Sequence, residues 1–224
     1  MDYGWSAEQT TDGGYIVAGA ITNGAFQNTG ILLKTNANGD SLWSKTYIGS
    51  GALGSTLASV RQTADGGYIA CGTNTLTMLE TRWCLVKTNA AGDTLWTRIY
   101  GQGGQEQSKH VEPTSDGGYI ISGFFQGGFG IDLRAAVIKT NANGDSLWSV
   151  VIVNSSNNDI AESVKEISGG GYIVTGNNDG KASLTKLNAA GVTLWSKDFL
   201  PCNCIASGYS VQQTADGGYI LSGV

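Results

Sequence analysis

Short apolar runs bounded by turn residues recur along the whole chain. Runs such as residues 67–72 and 84–87 are rich in β-branched and aromatic side chains, and Gly, Asn and Asp stand at their ends. These features are typical of short strands. No stretch has a sustained apolar period of 3.6 residues, so the pattern predicts strands and essentially no helix.

Two sequence strings alternate along the chain, each returning about every 50 residues. The first is Asp-Gly-Gly-Tyr-Ile, with Gly169 replacing Asp in one copy, at residues 12–16, 65–69, 116–120, 169–173 and 216–220. The second is Lys-Thr-Asn-Ala-Asn-Gly-Asp-Ser-Leu-Trp, intact or varied, at residues 34–43, 87–96, 139–148 and 186–195. Asp-Gly-Gly and Asn-Gly-Asp favour hairpin turns because Gly and Asn tolerate positive φ. Each repeat therefore predicts four strands, A to D, with A–B and C–D hairpins.

Four antiparallel strands repeated at this interval are typical of a β-propeller blade. We predict an all-β fold, a single β-propeller domain over residues 1–224. Its four complete blades cover about residues 3–50, 57–101, 108–153 and 161–199, and half of a fifth blade covers 208–224. A five-bladed ring and a fragment of a longer propeller both fit this count. The half blade leaves an open strand edge, through which copies of the chain are expected to associate.

One aromatic residue of strand B and one of strand D recur in each repeat. They are the Tyr of the first string and the Trp that closes the second, for example Tyr68 and Trp43. A side chain repeated at one spot in every blade is predicted to pack between blades.

The pattern S-V-Q-Q-T-x-D-G-G-Y-I-x-x-G … K-T-N-x-x-G-D-x-L-W resembles the propeller-type repeats of many bacterial and archaeal secreted or cell-surface proteins. It is also similar to the blades of quinoprotein dehydrogenases. The resemblance spans nearly the whole chain. It implies a propeller fold, an extracellular or cell-surface location and a surface-exposed scaffold, and it implies no particular chemistry. The fourth copy departs from the pattern at Gly169 and at residues 190–192, so we expect those two turns to be the loosest.

Charge and composition narrow the range of partners. The net charge is −5 and no basic cluster is present, so nucleic acid and anionic membrane surfaces are poor candidates. The apolar runs are too short for a transmembrane helix, which argues against membrane insertion. Residues 2–5 do not resemble a signal peptide, which we therefore expect to be absent from this sequence.

The variable loops are the predicted binding region. The A–B and C–D turns differ little among copies, whereas the B–C and D–A loops vary and should gather on the opposite rim, where rigid scaffolds usually bind. Aromatic faces beside amide donors suit a glycan or a peptide. The predicted contact residues are Phe26, Trp83, Phe124, Phe125, Phe129 and Arg134. The alternative is that these aromatics fold back over their own blades.

Strand A carries a column predicted to form an axial ring. Its members are Ser6, Ser59, His110, Ser163 and Ser210. Two residues later the charge alternates along a second column, which suggests ion pairs between neighbouring A strands: Glu8, Arg61, Glu112, Lys165 and Gln212. No Ser-His-Asp grouping is indicated, so we predict no catalytic residue.

The four cysteines leave two alternatives open. Cys71 ends a B strand and Cys84 begins the following C strand, so they are predicted either to form a cross-strand disulfide or to be two buried thiols. Cys202 and Cys204 either close a small disulfide or remain reduced. The Asn-Gly-Asp turns lack the oxygen ligands of a calcium loop, and we predict neither a metal nor a cofactor.

The leading hypothesis is a non-enzymatic module of a secreted or surface protein that binds a glycan or another protein through the variable-loop rim. One alternative is a polysaccharide-active enzyme at the propeller mouth, which requires clustered groups with shifted pKa values. Another is a purely structural or engineered propeller fragment that self-associates through its open edge.

Overall fold

The computed structural model describes residues 2–22, 28–47, 52–101, 103–126, 132–152, 158–199 and 205–224. Strands and turns make up these residues, and no helix occurs among them. None of their segments is therefore a helix long and apolar enough to cross a membrane. The chain divides into two compact units, residues 1–111 and residues 112–224.

The first unit contains two complete four-stranded antiparallel sheets. The strands of the first sheet, in spatial order, are β1 (Tyr3–Gln9), β2 (Tyr15–Thr22), β3 (Asn28–Thr35) and β4 (Ser41–Tyr47). Those of the second are β5 (Gly54–Gln62), β6 (Tyr68–Thr77), β7 (Glu80–Thr88) and β8 (Thr94–Tyr100). Chain order equals spatial order in both sheets, so each is a simple meander.

The same meander recurs in the rest of the chain. The third sheet consists of β9 (Gln107–Pro113), within which the boundary between the units falls, β10 (Tyr119–Gln126), β11 (Leu133–Thr140) and β12 (Ser146–Val151). The fourth consists of β13 (Ile160–Glu166), β14 (Tyr172–Asn178), β15 (Lys181–Leu187) and β16 (Thr193–Phe199). A two-stranded sheet, β17 (Gly208–Gln213) and β18 (Tyr219–Gly223), follows. The prediction of an all-β chain with four four-stranded repeats and one half repeat is confirmed.

Within each unit, successive sheets pack face to face. In the first unit, Ile16, Ala18 and Leu32 of the first sheet share one buried cluster with Leu57 and Val60 of the second. In the second unit, the corresponding cluster joins sheets three and four, and a smaller one joins β14 and β15 to Val211 of β17. Each interface buries apolar side chains from both sheets, which is the main stabilising contribution of such packing.

The recurring aromatic residues lie at these interfaces, as predicted. The indole of a D strand meets the Tyr ring of the next B strand edge-on, with centroids 5.9 Å apart for Trp43 and Tyr68. The equivalent distance is 5.7 Å for Trp148 and Tyr172, and 6.0 Å for Trp195 and Tyr219. Edge-to-face geometry is favourable for aromatic pairs. The prediction that these rings pack between repeats is confirmed for the three pairs.

The predicted disulfide between Cys71 and Cys84 is not formed. Both residues are buried free thiols, and burial raises the pKa of each thiol to about 12. The strand register gives the reason: Cys71 lies opposite Leu85, whereas Cys84 lies opposite Gly72. An offset of one residue places the two side chains on opposite faces of the sheet. The buried-thiol alternative is the correct one. Cys202 and Cys204 lie outside the described residues.

Candidate functional site at the loop edge

A buried lysine ties the C strand to the A–B turn in the first three repeats. The ammonium groups of Lys34, Lys87 and Lys139 lie 2.9, 2.8 and 2.8 Å from the carboxylates of Asp12, Asp65 and Asp116. Each ammonium also donates to the carbonyl of the Thr that follows it. The lysines are buried, whereas the carboxylates remain more than half exposed. These contacts, called the Lys–Asp pairs below, assign a structural role to the Asp of the first string and the Lys of the second.

The aspartates of these pairs are held in their ionised form. Partial burial pushes the pKa of Asp65 upward, but hydrogen bonds from Lys87, Thr63 and Gly67 outweigh that effect and lower the pKa to about 2. The same balance, with Lys139, Thr114 and Gly118 as donors, lowers the pKa of Asp116 to about 2.

The second Gly of the first three Asp-Gly-Gly turns makes room for the Lys–Asp pair. A Cβ added at Gly14, Gly67 or Gly118 would lie 2.1 Å from the carbonyl oxygen that accepts from the lysine. It would also lie within 3 Å of the ammonium nitrogen. A side chain at this position would therefore push the C strand away from the turn.

A second repeated contact joins the first, third and fourth A–B turns to the A strand that follows each of them. The backbone N–H of Thr11 donates to Oε1 of Gln62 at 2.8 Å. The N–H of Ser115 donates to Oε2 of Glu166 at 2.7 Å, and that of Ser168 to Oε1 of Gln213 at 2.9 Å. We call Gln62, Glu166 and Gln213 the strand-end acceptors. These side chains therefore have structural contacts at the turns.

The predicted axial column has structural contacts in the first unit. Ser59 and Ser163 are buried, Ser6 and His110 half-buried, and Ser210 exposed. The hydroxyl of Ser6 accepts from the backbone N–H of Val60 at 3.3 Å, and that of Ser59 from Val111 at 3.4 Å. These serines therefore link one A strand to the next, and their arrangement in a closed ring stays a prediction.

The neighbouring charged column contains one of the expected ion pairs. Lys165 lies 2.9 Å from Glu112. In the first unit, Nη2 of Arg61 lies 2.6 Å from Nε2 of His110. A guanidinium only donates, so this imidazole nitrogen accepts and the ring proton is on Nδ1. His110 is thus a hydrogen-bonded structural residue in this arrangement.

The predicted ligand-contacting aromatics are not all on the surface. Trp83 is fully buried within β7 and Phe124 is buried within β10, which corrects the prediction for these two residues. Phe125 is half-buried and lies opposite the exposed Arg134. Phe26 and Phe129 lie outside the described residues. The alternative in which aromatics fold back over their own sheet holds for Trp83 and Phe124.

The β6–β7 hairpin presents an apolar tip instead. We define the loop edge of a sheet as the edge with its B–C turn and the adjoining D–A connection. At the loop edge of the second sheet, Met78 is 93% exposed and Leu79 is 77% exposed, and these two residues are the apolar tip. Leu53, also exposed, donates its N–H to the carbonyl of Thr75 at 2.7 Å on the same hairpin. The loop edge of the second sheet therefore exposes apolar side chains on a hairpin whose backbone is hydrogen-bonded to the connection before β5.

The loop before β9 braces this hairpin. Thr81 and Glu106 form a reciprocal pair: the N–H of Glu106 donates to the Thr81 hydroxyl, which donates to the Glu106 carbonyl, both at 2.8 Å. The N–H of Thr81 donates to Gly104 at 2.9 Å. Arg82 pairs with Glu80 at 2.6 Å and lies 3.9 Å from the buried carboxylate of Glu106. Four polar side chains next to the apolar tip thus fix the hairpin.

The loop edge of the fourth sheet is built differently. Its B–C turn is short, with Asp179 at a φ of 48°. The amide of Asn178 donates to both carboxylate oxygens of Asp198 at 2.9 Å, and the N–H of Asp179 donates to the buried Asp159 at 3.2 Å. The loop edge of the fourth sheet is therefore a short turn held by polar side chains, and Ile205 is an exposed apolar residue beside it.

Two carboxylates at the loop edges, Glu106 and Asp159, are buried. Glu106 and Asp159 each stand four residues before a member of the axial column, His110 and Ser163 respectively. The offset alone does not predict burial, because the carboxylate at the same position in the first repeat, Asp2, is exposed. Among the described residues, no group of three or more His, Cys, Asp or Glu side chains is placed to hold a metal ion.

Comparisons with known proteins give a fold likeness and no function. No protein-family model and no curated protein matches the chain. A protein of unknown function from Dyadobacter fermentans is similar in structure at 14% identity, with a TM-score of 0.52 over 86% of this chain and 51% of that one. This chain therefore spans about half of that protein's length. A protein of unknown function from Bacteroides caccae matches at 12% identity, with a TM-score of 0.41 over 88% of this chain and 82% of that one.

Proposed function

We propose that the chain is a non-enzymatic β-propeller-type scaffold of a secreted or cell-surface protein, and that it binds a protein partner through the loop edge of its second sheet. The apolar tip carries this proposal, because two large apolar side chains lie almost fully in solvent on a braced hairpin. Exposed apolar side chains on a rigid element are typical of protein-binding surfaces. The location is supported by the resemblance of the repeats to those of surface proteins.

A protein partner is favoured over a glycan at this edge. Sugar rings stack on exposed aromatic faces, and Trp83, the aromatic nearest the apolar tip in sequence, is fully buried. Met is flexible and polarisable, which suits contact with protein side chains of varied shape. A glycan remains the second candidate at the third sheet, where Phe125 and Arg134 are cross-strand neighbours.

Panning a phage-displayed peptide library against the chain tests the proposal. Peptides selected on the native chain should bind saturably, and Met78→Ser/Leu79→Ser should weaken them at least tenfold. The matched control is Leu95→Ser, which removes an exposed leucine from β8 of the same sheet and should leave binding unchanged. Equal binding by all three proteins would contradict the proposal. Glycan-array binding abolished by Phe125→Ala would favour the second candidate.

A further inference from the structure

The apolar tip is a hairpin turn built without the usual turn residues. Thr77 and Glu80 are paired, so the turn between β6 and β7 consists of Met78 and Leu79 alone. Two-residue hairpin turns favour Gly, Asn and Asp. Neither residue of the apolar tip has positive φ, and the N–H of Leu79 donates to the Thr77 hydroxyl at 3.2 Å, which supports the turn locally. Two large apolar side chains therefore stand where formation of the turn does not require them.

The fold of the hairpin does not depend on the side chain of Met78. Met78 lies almost entirely in solvent, so its thioether packs against very little of the chain. The hairpin is held by the pairing of β6 with β7 and by the reciprocal hydrogen bonds between Thr81 and Glu106. A chemical change at the sulfur of Met78 would therefore alter the surface of the apolar tip and leave the hairpin in place.

Among the described residues, Met78 is the only exposed one that contains sulfur. The thiols of Cys71 and Cys84 are buried, and burial raises the pKa of each to about 12. Neither thiol therefore forms the thiolate that oxidants attack at neutral pH. A thioether is oxidised without first losing a proton. In the described part of the first unit, an oxidant in solution thus meets the sulfur of Met78 before either thiol.

We propose that Met78 is a site of reversible oxidation by hydrogen peroxide, and that its sulfoxide weakens binding at the apolar tip; the second half of this inference rests on the proposed function. A lone pair of the sulfur attacks one peroxide oxygen, so that an S–O bond forms as the O–O bond breaks. The leaving hydroxide takes the proton of the transferred oxygen and becomes water. The sulfur is oxidised by two electrons and the peroxide is reduced. The sulfoxide is polar, so it removes an apolar contact that the thioether offers.

Reduction restores the thioether. A methionine sulfoxide reductase passes two electrons from a dithiol to the sulfoxide, which releases its oxygen as water while the dithiol becomes a disulfide. Because Met78 is exposed on a turn, its sulfoxide is accessible to such an enzyme without unfolding of the hairpin. The modification is therefore a switch with two directions.

The experiment compares the native chain with Met78→Leu before and after treatment with hydrogen peroxide. The probe is a library-selected peptide whose binding depends on the apolar tip. Leucine keeps the tip apolar and has no sulfur, so both proteins should bind the peptide similarly before treatment. Afterwards, the native chain should carry one added oxygen on Met78 by peptide mass mapping and bind about fivefold more weakly, whereas Met78→Leu keeps its affinity. A methionine sulfoxide reductase with dithiothreitol should restore the binding of the native chain.

Hydrogen exchange separates a change at the surface from a loss of structure. The amides of the β6–β7 hairpin should exchange at the same rate before and after oxidation. Unchanged peptide affinity after oxidation of Met78 would overturn the proposal, and so would an equal loss of affinity in Met78→Leu. Met78 left intact while free N-acetylmethionine is oxidised would overturn it as well. An untreated native chain that binds no peptide through the apolar tip would instead contradict the proposed function, and the switch would fail with it.

Discussion

The A–B turns of the first three repeats and that of the fourth reach similar shapes by different means. In the second sheet, the N–H of Thr63 donates to Gly67 at 2.9 Å, and Asp65 binds the buried Lys87. In the fourth sheet, the equivalent bond from Ile167 to Gly171 is 3.1 Å long, and Gly169 stands where the other turns have Asp.

Backbone conformation accounts for the fourth turn. Gly169, Gly170 and Gly171 all have positive φ, between 86° and 89°, which only Gly adopts without strain. Lys186, the counterpart of Lys87, is half-buried instead of buried. The comparison shows that the hairpin forms without a Lys–Asp pair, and that the pair adds a tie between turn and C strand.

Breaking one Lys–Asp pair should have the largest effect. Asp65→Ala leaves the buried ammonium of Lys87 with the Thr88 carbonyl and no carboxylate. We expect a loss of about 2 kcal/mol in the free energy of unfolding, because an uncompensated buried charge is costly and the exposure of Asp65 moderates that cost. Urea denaturation followed by tryptophan fluorescence measures it.

The control for this variant is Asp65→Ala/Lys87→Met, which removes both charges. The double variant should be destabilised less than the sum of the two single variants, because Met needs no partner. Strict additivity would show that the two side chains do not depend on each other.

Acid should lower the free energy of unfolding by a smaller amount than Asp65→Ala does. The pKa values of Asp65 and Asp116 are lowered to about 2 in the folded chain, from an ordinary value near 3.8. Their contribution is therefore present above about pH 4 and is lost as the pH falls toward 2. We expect a loss of about 1 kcal/mol in the free energy of unfolding for each pair, a value already reduced for the exposure of the carboxylates.

Denaturation curves between pH 6 and pH 2 measure this loss. The Asp65→Ala variant should show a shallower decline than the native chain. An identical decline in both proteins would remove Asp65 from the acid response.

Hydrogen exchange should show a smaller difference between the turns. The amides of Gly170 and Gly171 should exchange about threefold faster than those of Gly117 and Gly118, since no Lys–Asp pair restrains the fourth turn. Mass spectrometry with peptide-level resolution is sufficient for the measurement. Slower exchange in the fourth turn would indicate that its bond to Gln213 outweighs the missing pair.

Removing the lysine of the fourth repeat should have the smallest effect. Lys186→Met deletes a half-buried ammonium whose usual carboxylate partner is replaced by Gly169. We expect a change below about 0.5 kcal/mol in the free energy of unfolding, in contrast to Lys87→Met, which removes one partner of a pair. A loss as large as that of Lys87→Met would mean that Lys186 has an equivalent role.

The strands and hairpins could be read from the repeated turn strings, because Asp-Gly-Gly and Asn-Gly-Asp mark where each hairpin bends. For example, β4 (Ser41–Tyr47) begins directly after the Asn-Gly-Asp turn at residues 38–40. The Trp–Tyr contacts followed from their single occurrence per repeat. The arrangement of the repeats in space could not be predicted from the strings, because each string describes only one hairpin.

The loop edge was harder to predict because its sequences differ among repeats. Trp83 was expected in a variable loop, yet β6 continues to Thr77 and β7 begins at Glu80, so Trp83 lies inside a strand. The sequence left the disulfide and the buried thiols of Cys71 and Cys84 as alternatives, because sequence proximity does not show the register offset of one residue that decides between them. The Lys–Asp pairs were missed because their two members belong to different strings about 22 residues apart.

The strand-end acceptors have a consequence for the number of repeats in such a chain. Gln62, Glu166 and Gln213 each reach only the turn of the repeat immediately before. Coupling of this kind is between nearest neighbours. A duplicated or inserted repeat can therefore bond to the turn before it only if its A strand ends in a residue such as Gln or Glu. The third repeat, whose A strand ends at Pro113, has no such side-chain acceptor.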